Sequence, residues 1–118
     1  MSIPWGQYER AYKAIHNAIL SPNRAVKPTI DLSTARTNQS LVEEGVLPAN
    51  QTFLYLTIMR RGSGTFSLKM KFNDGSTLEY SSDDLQDGYM MERRFVDVLF
   101  TNTSQTVTNP VLLVEWKE

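Results

Sequence analysis

Thr65-Phe66-Ser67-Leu68-Lys69-Met70-Lys71-Phe72 alternates between apolar and polar side chains. Phe66, Leu68, Met70 and Phe72 fall on one side, and Ser67, Lys69 and Lys71 on the other. Successive side chains of an extended strand point to opposite faces, so this period of two describes a strand with one buried and one wet face. Half-wet strands belong to antiparallel sheets, because parallel sheets are covered on both sides. Asn73-Asp74-Gly75-Ser76 follows. Asn, Asp and Gly tolerate the positive φ of tight reversals, so Thr77 to Tyr80 is expected to return as the hairpin partner.

The same period continues on both sides of this hairpin. Upstream, Phe53 to Arg60 sets Leu54, Leu56 and Ile58 against Phe53, Tyr55, Thr57 and Met59, which is apolar on both faces. Arg60-Arg61-Gly62-Ser63-Gly64 reads as a hairpin turn; it has neither the lysine nor the following helix of a phosphate-binding loop. Downstream, Ser81 to Gly88 reads as a loop or single helical turn, with Ser82 as its cap and Gly88 as its terminator. Arg94 to Thr101 then sets Val96, Val98 and Phe100 against Phe95, Asp97 and Leu99. After a polar reversal from Asn102 to Pro110, Val111 to Trp116 sets Leu112, Val114 and Trp116 against Val111, Leu113 and Glu115. The expected fold is mainly β: an antiparallel β-sandwich or small jelly-roll over residues 52–118.

The first part of the chain has a different rhythm. From Pro4 to Leu20, Tyr8, Tyr12, Ile15 and Ile19 recur at spacings of four and three, with Ala11, Ala14 and Ala18 beside them. That spacing describes one N-terminal amphipathic α-helix, ended by Ser21-Pro22-Asn23 because proline cannot continue the hydrogen-bond ladder. Residues 1–22 are therefore assigned to the helix. Residues 23–51 carry breaks at Pro28, Gly45 and Pro48 and short apolar pieces at Thr29 to Leu32 and Leu41 to Val42. They read as an extended arm or loop with one or two short edge strands.

Composition narrows the chemistry. The 118 residues suit one domain, with 12 Lys and Arg against 13 Asp and Glu for a net charge of −1. Nonspecific nucleic-acid binding needs a basic excess, so none is expected, although Arg60-Arg61, Arg93-Arg94, Lys69 and Lys71 are spread among aromatics. These basic residues are assigned to salt bridges, including salt bridges between subunits. The absence of Cys and the single His, His16, remove thiolate sites and His-rich zinc sites. No nucleophile elbow accompanies His16. Asp83-Asp84-Leu85-Gln86-Asp87-Gly88 lacks the alternation of a calcium loop and is assigned to turn and capping roles. Hence no catalytic residue, cofactor or metal site is expected. The longest aliphatic run, Val111 to Val114, is too short for a membrane span, and Ile3-Pro4-Trp5-Gly6 does not read as a signal peptide. Asn38, Asn50 and Asn102 begin glycosylation-type triplets but read as ordinary loop residues.

Ser, Thr, Asn and Gln together supply 33 residues, a polar complement that suits pleats and turns. Against this background the two-sided strands stand out, because the outer face of a lone sandwich should be wet. Phe53, Tyr55, Phe95, Leu99, Val111 and Leu113, with the helix stripe Tyr8, Tyr12, Ile15 and Ile19, are the expected interface residues of a homo-oligomer.

Phe95-Val96-Asp97-Val98-Leu99-Phe100, running into Thr101-Asn102-Thr103-Ser104-Gln105 and followed by Val111 to Trp116, resembles the closing hairpin of small β-sandwich virion proteins of tailed bacteriophages. The resemblance implies a non-enzymatic structural protein of the capsid-decoration, tail or fibre-associated kind. Such a protein is made in the host cytoplasm, assembles as a trimer or ring, and docks to other virion proteins. A second reading is a carbohydrate- or receptor-binding module using Tyr55, Tyr80, Tyr89 and Trp116 as ring platforms. A third is a small hydrolase built on Asp83, Asp84 and Asp87.

Overall fold

The computed structural model describes residues 21–118. The helix expected for residues 1–22, with Tyr8, Tyr12, Ile15, His16 and Ile19, falls almost wholly outside them. The described chain forms eight strands: β1 (Arg24–Val26), β2 (Arg36–Ser40), β3 (Phe53–Arg60), β4 (Ser67–Lys71), β5 (Thr77–Ser81), β6 (Met90–Phe95), β7 (Asp97–Asn102) and β8 (Val111–Trp116). A single 3₁₀ turn, Ser82–Asp84, is the only helical element among the described residues. The strands make two four-stranded antiparallel sheets, ordered β1-β8-β3-β6 and β2-β7-β4-β5, packed face to face as a sandwich.

The hairpin at Asn73-Asp74-Gly75 forms as expected, with β4 and β5 in register from Ser67 opposite Ser81 to Lys71 opposite Thr77. Gly75 takes φ +88° and donates its N–H to Phe72 O at 3.0 Å, a conformation that costs glycine nothing. This is the one connection that stays within a sheet. Every other link carries the chain to the opposite sheet, which corrects two sequence expectations. Gly62 and Gly64 belong to a crossover between β3 and β4, not to a hairpin turn. Gly62 sits at φ +75°, where a Cβ would run into Thr108 O, so the close approach of two crossovers requires glycine there. Likewise the polar stretch 103–110 joins β7 in the second sheet to β8 in the first. The pairings are nested: β4 with β5, β3 with β6, β2 with β7 and β1 with β8.

The run Arg94 to Thr101, read as one strand, is in fact two. β6 ends at Phe95, Val96 donates its N–H to Lys71 O at 2.8 Å, and β7 begins at Asp97 in the other sheet. Continuous period-two patterning does not reveal such a corner, since the backbone can stay extended while it changes partners. Residues 23–51 supply one of the two edge strands of each sheet, and their Ile30, Leu32, Leu41 and Leu47 are buried. The 3₁₀ turn is capped by Ser81, whose Oγ accepts from Asp83 N; Ser82 is instead fully buried, with its Oγ accepting from Phe66 N at 3.0 Å.

Between the sheets the core gathers Phe53, Leu56, Ile58, Met91, Phe95, Leu112, Val114 and Trp116 from the first and Leu68, Met70, Val98 and Phe100 from the second. Phe53 touches Phe95 at a centroid distance of 5.3 Å and meets Trp116 edge-on at 5.4 Å; Phe66 stacks on Phe100 at 5.0 Å. Burying such rings supplies a large part of the hydrophobic stabilisation of a small sandwich. A bulge between Phe53 and Tyr55 lets both Phe53 and Leu56 point inward although they are three residues apart.

Candidate functional site

The register of the strands assigns their outer faces, and the two faces differ. On the second sheet the outward rows are Thr101, Ser67 and Ser81, then Leu99, Lys69 and Glu79, then Asp97, Lys71 and Thr77. Eight of these nine are polar or charged, so water is a sufficient partner. On the first sheet one row runs Leu113, Thr57 and Met90, with Val111 beyond it at the start of β8, opposite Arg60, and Tyr55 on the other side. Met59, released by a second bulge between Ile58 and Arg60, lies exposed beside them. Met59 is 42% and Met90 56% accessible, and Val111, Leu113 and Tyr55 are half-buried. Grouped apolar side chains on the outside of a monomeric sheet mark an association surface more often than a solvated one.

Tyr55 sits at the rim of this strip, between Glu115 on β8 and Glu92 on β6. Its hydroxyl donates to Glu92 Oε1 at 3.5 Å. Burial, followed by the negative charges of Glu92 and Glu115, raises its pKa above the usual phenol value, so the ring stays neutral. A shallow cavity of about 210 Å³ lies next to it, lined by Leu54, Tyr55, Glu92, Arg93 and Arg94. The strip is therefore an apolar centre with a charged border of Glu92, Glu115, Arg93 and Arg94.

The expected interface residues are thus split. Tyr55, Val111 and Leu113 come together on the outer strip. Leu99 lies alone on the outer face of the second sheet, on the far side of the molecule. Phe53 and Phe95 are fully buried in the core, which corrects the expectation that they add an apolar outer surface; the bulge at Leu54 and the corner at Val96 turn them inward. Sequence reasoning missed Met59 and Met90. The signal for Met90 was the Met90-Met91 pair ahead of Glu92-Arg93-Arg94, and it was obscured because charges on an exposed edge strand resemble a loop.

Several polar residues singled out in the sequence serve the fold. Arg61 clamps the β3–β4 crossover: its Nε donates to Ser82 O at 2.8 Å and its Nη1 to Gly62 O and Gly64 O at 3.0 and 2.9 Å. Asp83 Oδ1 lies 3.7 Å from Arg61 Nη2, and Asp87 Oδ1 accepts from Arg61 N at 2.7 Å. Arg60 Nε donates to Asn109 O at 3.0 Å. This basic pair is therefore engaged within its own chain. Asn102, read as a loop residue, is a buried terminus of β7 whose Nδ2 donates to Leu32 O, Thr34 O and Thr103 O at 3.2, 2.9 and 2.8 Å. Beside it the buried Arg36 side chain donates to Glu44 Oε1 at 2.9 Å and to Asp31 O at 2.6 Å. These bonds tie edge strand β2 and the 31–34 loop to β7.

Among the described residues no group of three or more His, Cys, Asp or Glu could hold a metal ion, and no helix is long and apolar enough to cross a membrane. Of the aromatic platforms considered for a sugar, Trp116 faces the core against Phe53, and Tyr80 is half-buried with Tyr89 edge-on at 6.4 Å. A hollow of about 610 Å³ over the second sheet is bordered by hydroxyls of Thr37, Thr65, Ser67, Ser81 and Thr101, and its Arg36 and Asn102 are already committed to internal hydrogen bonds. Comparison of the chain with protein-family models, with curated proteins and with solved structures finds no match in any of the three.

Proposed function

We propose that the chain is a non-enzymatic virion structural protein of jelly-roll type, of the capsid-decoration, tail or fibre-associated kind, which works by self-association and by docking to other virion proteins. The observation that carries this reading is the contrast between the outer faces: polar across the second sheet, apolar at Leu113, Met90, Met59 and Val111 on the first. A surface of that kind needs a protein cover, and a structural subunit has one by design.

The nested pairing of eight strands supports the jelly-roll description, since it is the pattern of one long antiparallel ribbon, closed at β4–β5, rolled into two sheets. Jelly-rolls host viral capsid domains and lectins alike, so the fold is an analogy and the surface has to choose between them. Here the inward Trp116 leaves a carbohydrate site without one of its platforms. β7 and β8 lie in opposite sheets, so the closing hairpin that suggested tailed-phage proteins is not a hairpin. The reading stands on the outer faces and the nested topology instead.

Produced together with the proteins encoded beside it, the chain is expected to sediment with their assembled particles. A chain that remains a 13.5 kDa monomer at the top of the gradient, and is monomeric by light scattering at every concentration, overturns the reading.

A further inference from the structure

Leu54 stands at two bulges at once. Phe53 lies opposite Phe95 and Tyr55 opposite Glu92, so Leu54 alone faces both Arg93 and Arg94 on β6. On its other side Phe53 lies opposite Trp116 and Tyr55 opposite Glu115, which makes Leu54 the extra residue there. Consecutive side chains of a regular strand point to opposite faces and would part Arg93 from Arg94. A bulge re-aims side chains, and here both arginines border the same cavity of about 210 Å³, together with Leu54, Tyr55 and Glu92.

These two arginines differ from the others in the sandwich. Arg24 donates to Glu118 Oε2 at 2.6 Å, Arg36 to Glu44 Oε1 at 2.9 Å, Arg60 to Asn109 O at 3.0 Å and Arg61 to Ser82 O at 2.8 Å. The guanidinium groups of Arg93 and Arg94 have no hydrogen-bond or ion-pair partner among the described residues. Charges on an edge strand keep it from pairing with another chain, and β6 is an edge. That role asks for charge alone and does not ask for two guanidinium groups on one cavity. The cavity has room for more than an ion, since a water molecule takes only about 30 Å³. Leu54 and the half-buried ring of Tyr55 give it apolar walls. The Tyr55 hydroxyl reaches Glu92 only at 3.5 Å, the outer limit of a hydrogen bond, so it can turn to a better acceptor.

Glu92 decides which anion fits. It offsets one of the two arginine charges, and the net single positive charge that remains suits a monoanion better than a doubly charged phosphate. A guanidinium fork matches the two oxygens of a carboxylate, and hydrogen bonds between ionised groups are the strong ones. We propose that the cavity at the paired bulges of β3 and β6 binds the carboxylate of an aspartate or glutamate on a partner protein, held by Arg93 and Arg94, with the side chain's stem against Tyr55 and Leu54. Its assignment to a protein partner rests on the reading that the chain docks to other proteins, because Tyr55 borders both the cavity and the apolar strip that such a partner covers.

The test is ligand-observed NMR on the full-length protein at low salt, with four probes: N-acetyl-glutamate α-amide, its neutral glutamine counterpart, glucuronate and inorganic phosphate. The glutamate probe is expected to bind saturably and the glutamine probe not at all. Arg93→Gln and Arg94→Gln, both at exposed positions, should keep the wild-type thermal transition and each weaken that binding at least about tenfold. Lys71→Gln, which removes the same charge from the second sheet, should leave it unchanged. No saturable binding of the glutamate probe overturns the proposal, as does an equal loss in Lys71→Gln. Phosphate or glucuronate binding at least as tightly as the glutamate probe overturns it too. A protein that binds the glutamate probe yet stays monomeric and joins no particle keeps the site and loses the assembly reading. One that joins particles and ignores the probe loses the site alone.

Discussion

At the residue scale, the informative positions are those where a side chain holds a reversal. Asp31 Oδ1 accepts from Ser33 N at 2.9 Å, and Asp74 Oδ1 accepts from Ser76 N at 2.9 Å and Ser76 Oγ at 2.6 Å. The hydrogen bonds from Ser33 lower the pKa of Asp31, and those from Ser76, its hydroxyl first, lower that of Asp74, both from an ordinary 3.8. A carboxyl depressed in the folded state binds fewer protons there than in the unfolded chain. Its contribution is therefore complete above 3.8 and is lost as the pH falls through the folded value. Carboxyl titration by NMR should place both midpoints below 3.8, and Ser76→Ala should raise the Asp74 midpoint while leaving Asp31 in place. A midpoint for Asp74 at or above 3.8 in the wild type would contradict the turn geometry. The Asp74 turn was legible in the sequence, because an Asp-x-Ser reversal rests on local bonds two residues apart; Asp31 makes the same bond inside a stretch that reads as an arm with a short apolar piece at Thr29 to Leu32. The burial of Asn102 was not, because its three acceptors include Leu32 and Thr34, about seventy residues away in the chain.

At the element scale, the corner between β6 and β7 is the feature on which both sheets depend. Asp97, its first residue on the far side, accepts a short hydrogen bond from Ser40 Oγ, together with Val42 N at 3.2 Å and Val98 N at 2.7 Å. One carboxylate thus fastens the end of edge strand β2 to the start of β7. Removing it leaves the Val42 N–H and the Ser40 hydroxyl of that corner without their acceptor, and bonds to a charged group are worth about 1.5–3 kcal/mol. Asp97→Ala should therefore lower the unfolding free energy by about 2 kcal/mol, read as an earlier urea midpoint with an unchanged slope. Asp97→Asn, which keeps an acceptor, should recover part of it. An alanine variant that unfolds at the wild-type midpoint would show that the corner is held by packing alone. The corner itself was hidden in Arg94 to Thr101. Phe95 and Val98 are both buried although three residues apart, so the alternation changes phase at the corner, a shift that the apolar Val96 between them conceals.

At the scale of the whole molecule, core and strip make opposite demands on their apolar residues. Phe53 is fully buried and touches both Phe95 and Trp116, so truncating it opens a cavity in the middle of the sandwich. Phe53→Ala should cost about 3–5 kcal/mol in stability. Met90, by contrast, is 56% accessible, so Met90→Ser should shift stability by no more than about 0.5 kcal/mol while weakening self-association. Equilibrium unfolding and light scattering on the two variants separate the roles; a Phe53→Ala protein as stable as wild type would remove Phe53 from the core. Phe53 opens an apolar alternating run and Met90 stands just ahead of Glu92-Arg93-Arg94, but neither setting reports which face another sheet will cover.

What the amino-acid sequence determined by itself is local: the strand period, the hairpin at Asn73-Asp74-Gly75, and the lack of residues for thiolate or His-rich metal chemistry. Each depends on side chains within a few positions of one another, where propensity and spacing act directly. Only the tertiary structure decided which sheet each strand joins, that Phe53 and Phe95 turn inward, and that Met59 and Met90 meet Val111 and Leu113 on one outer face. Those outcomes depend on bulges, on a corner at Val96 and on pairings between residues far apart in the chain. Alternation is blind to them, because it reports that a side chain has a face without reporting what that face will meet.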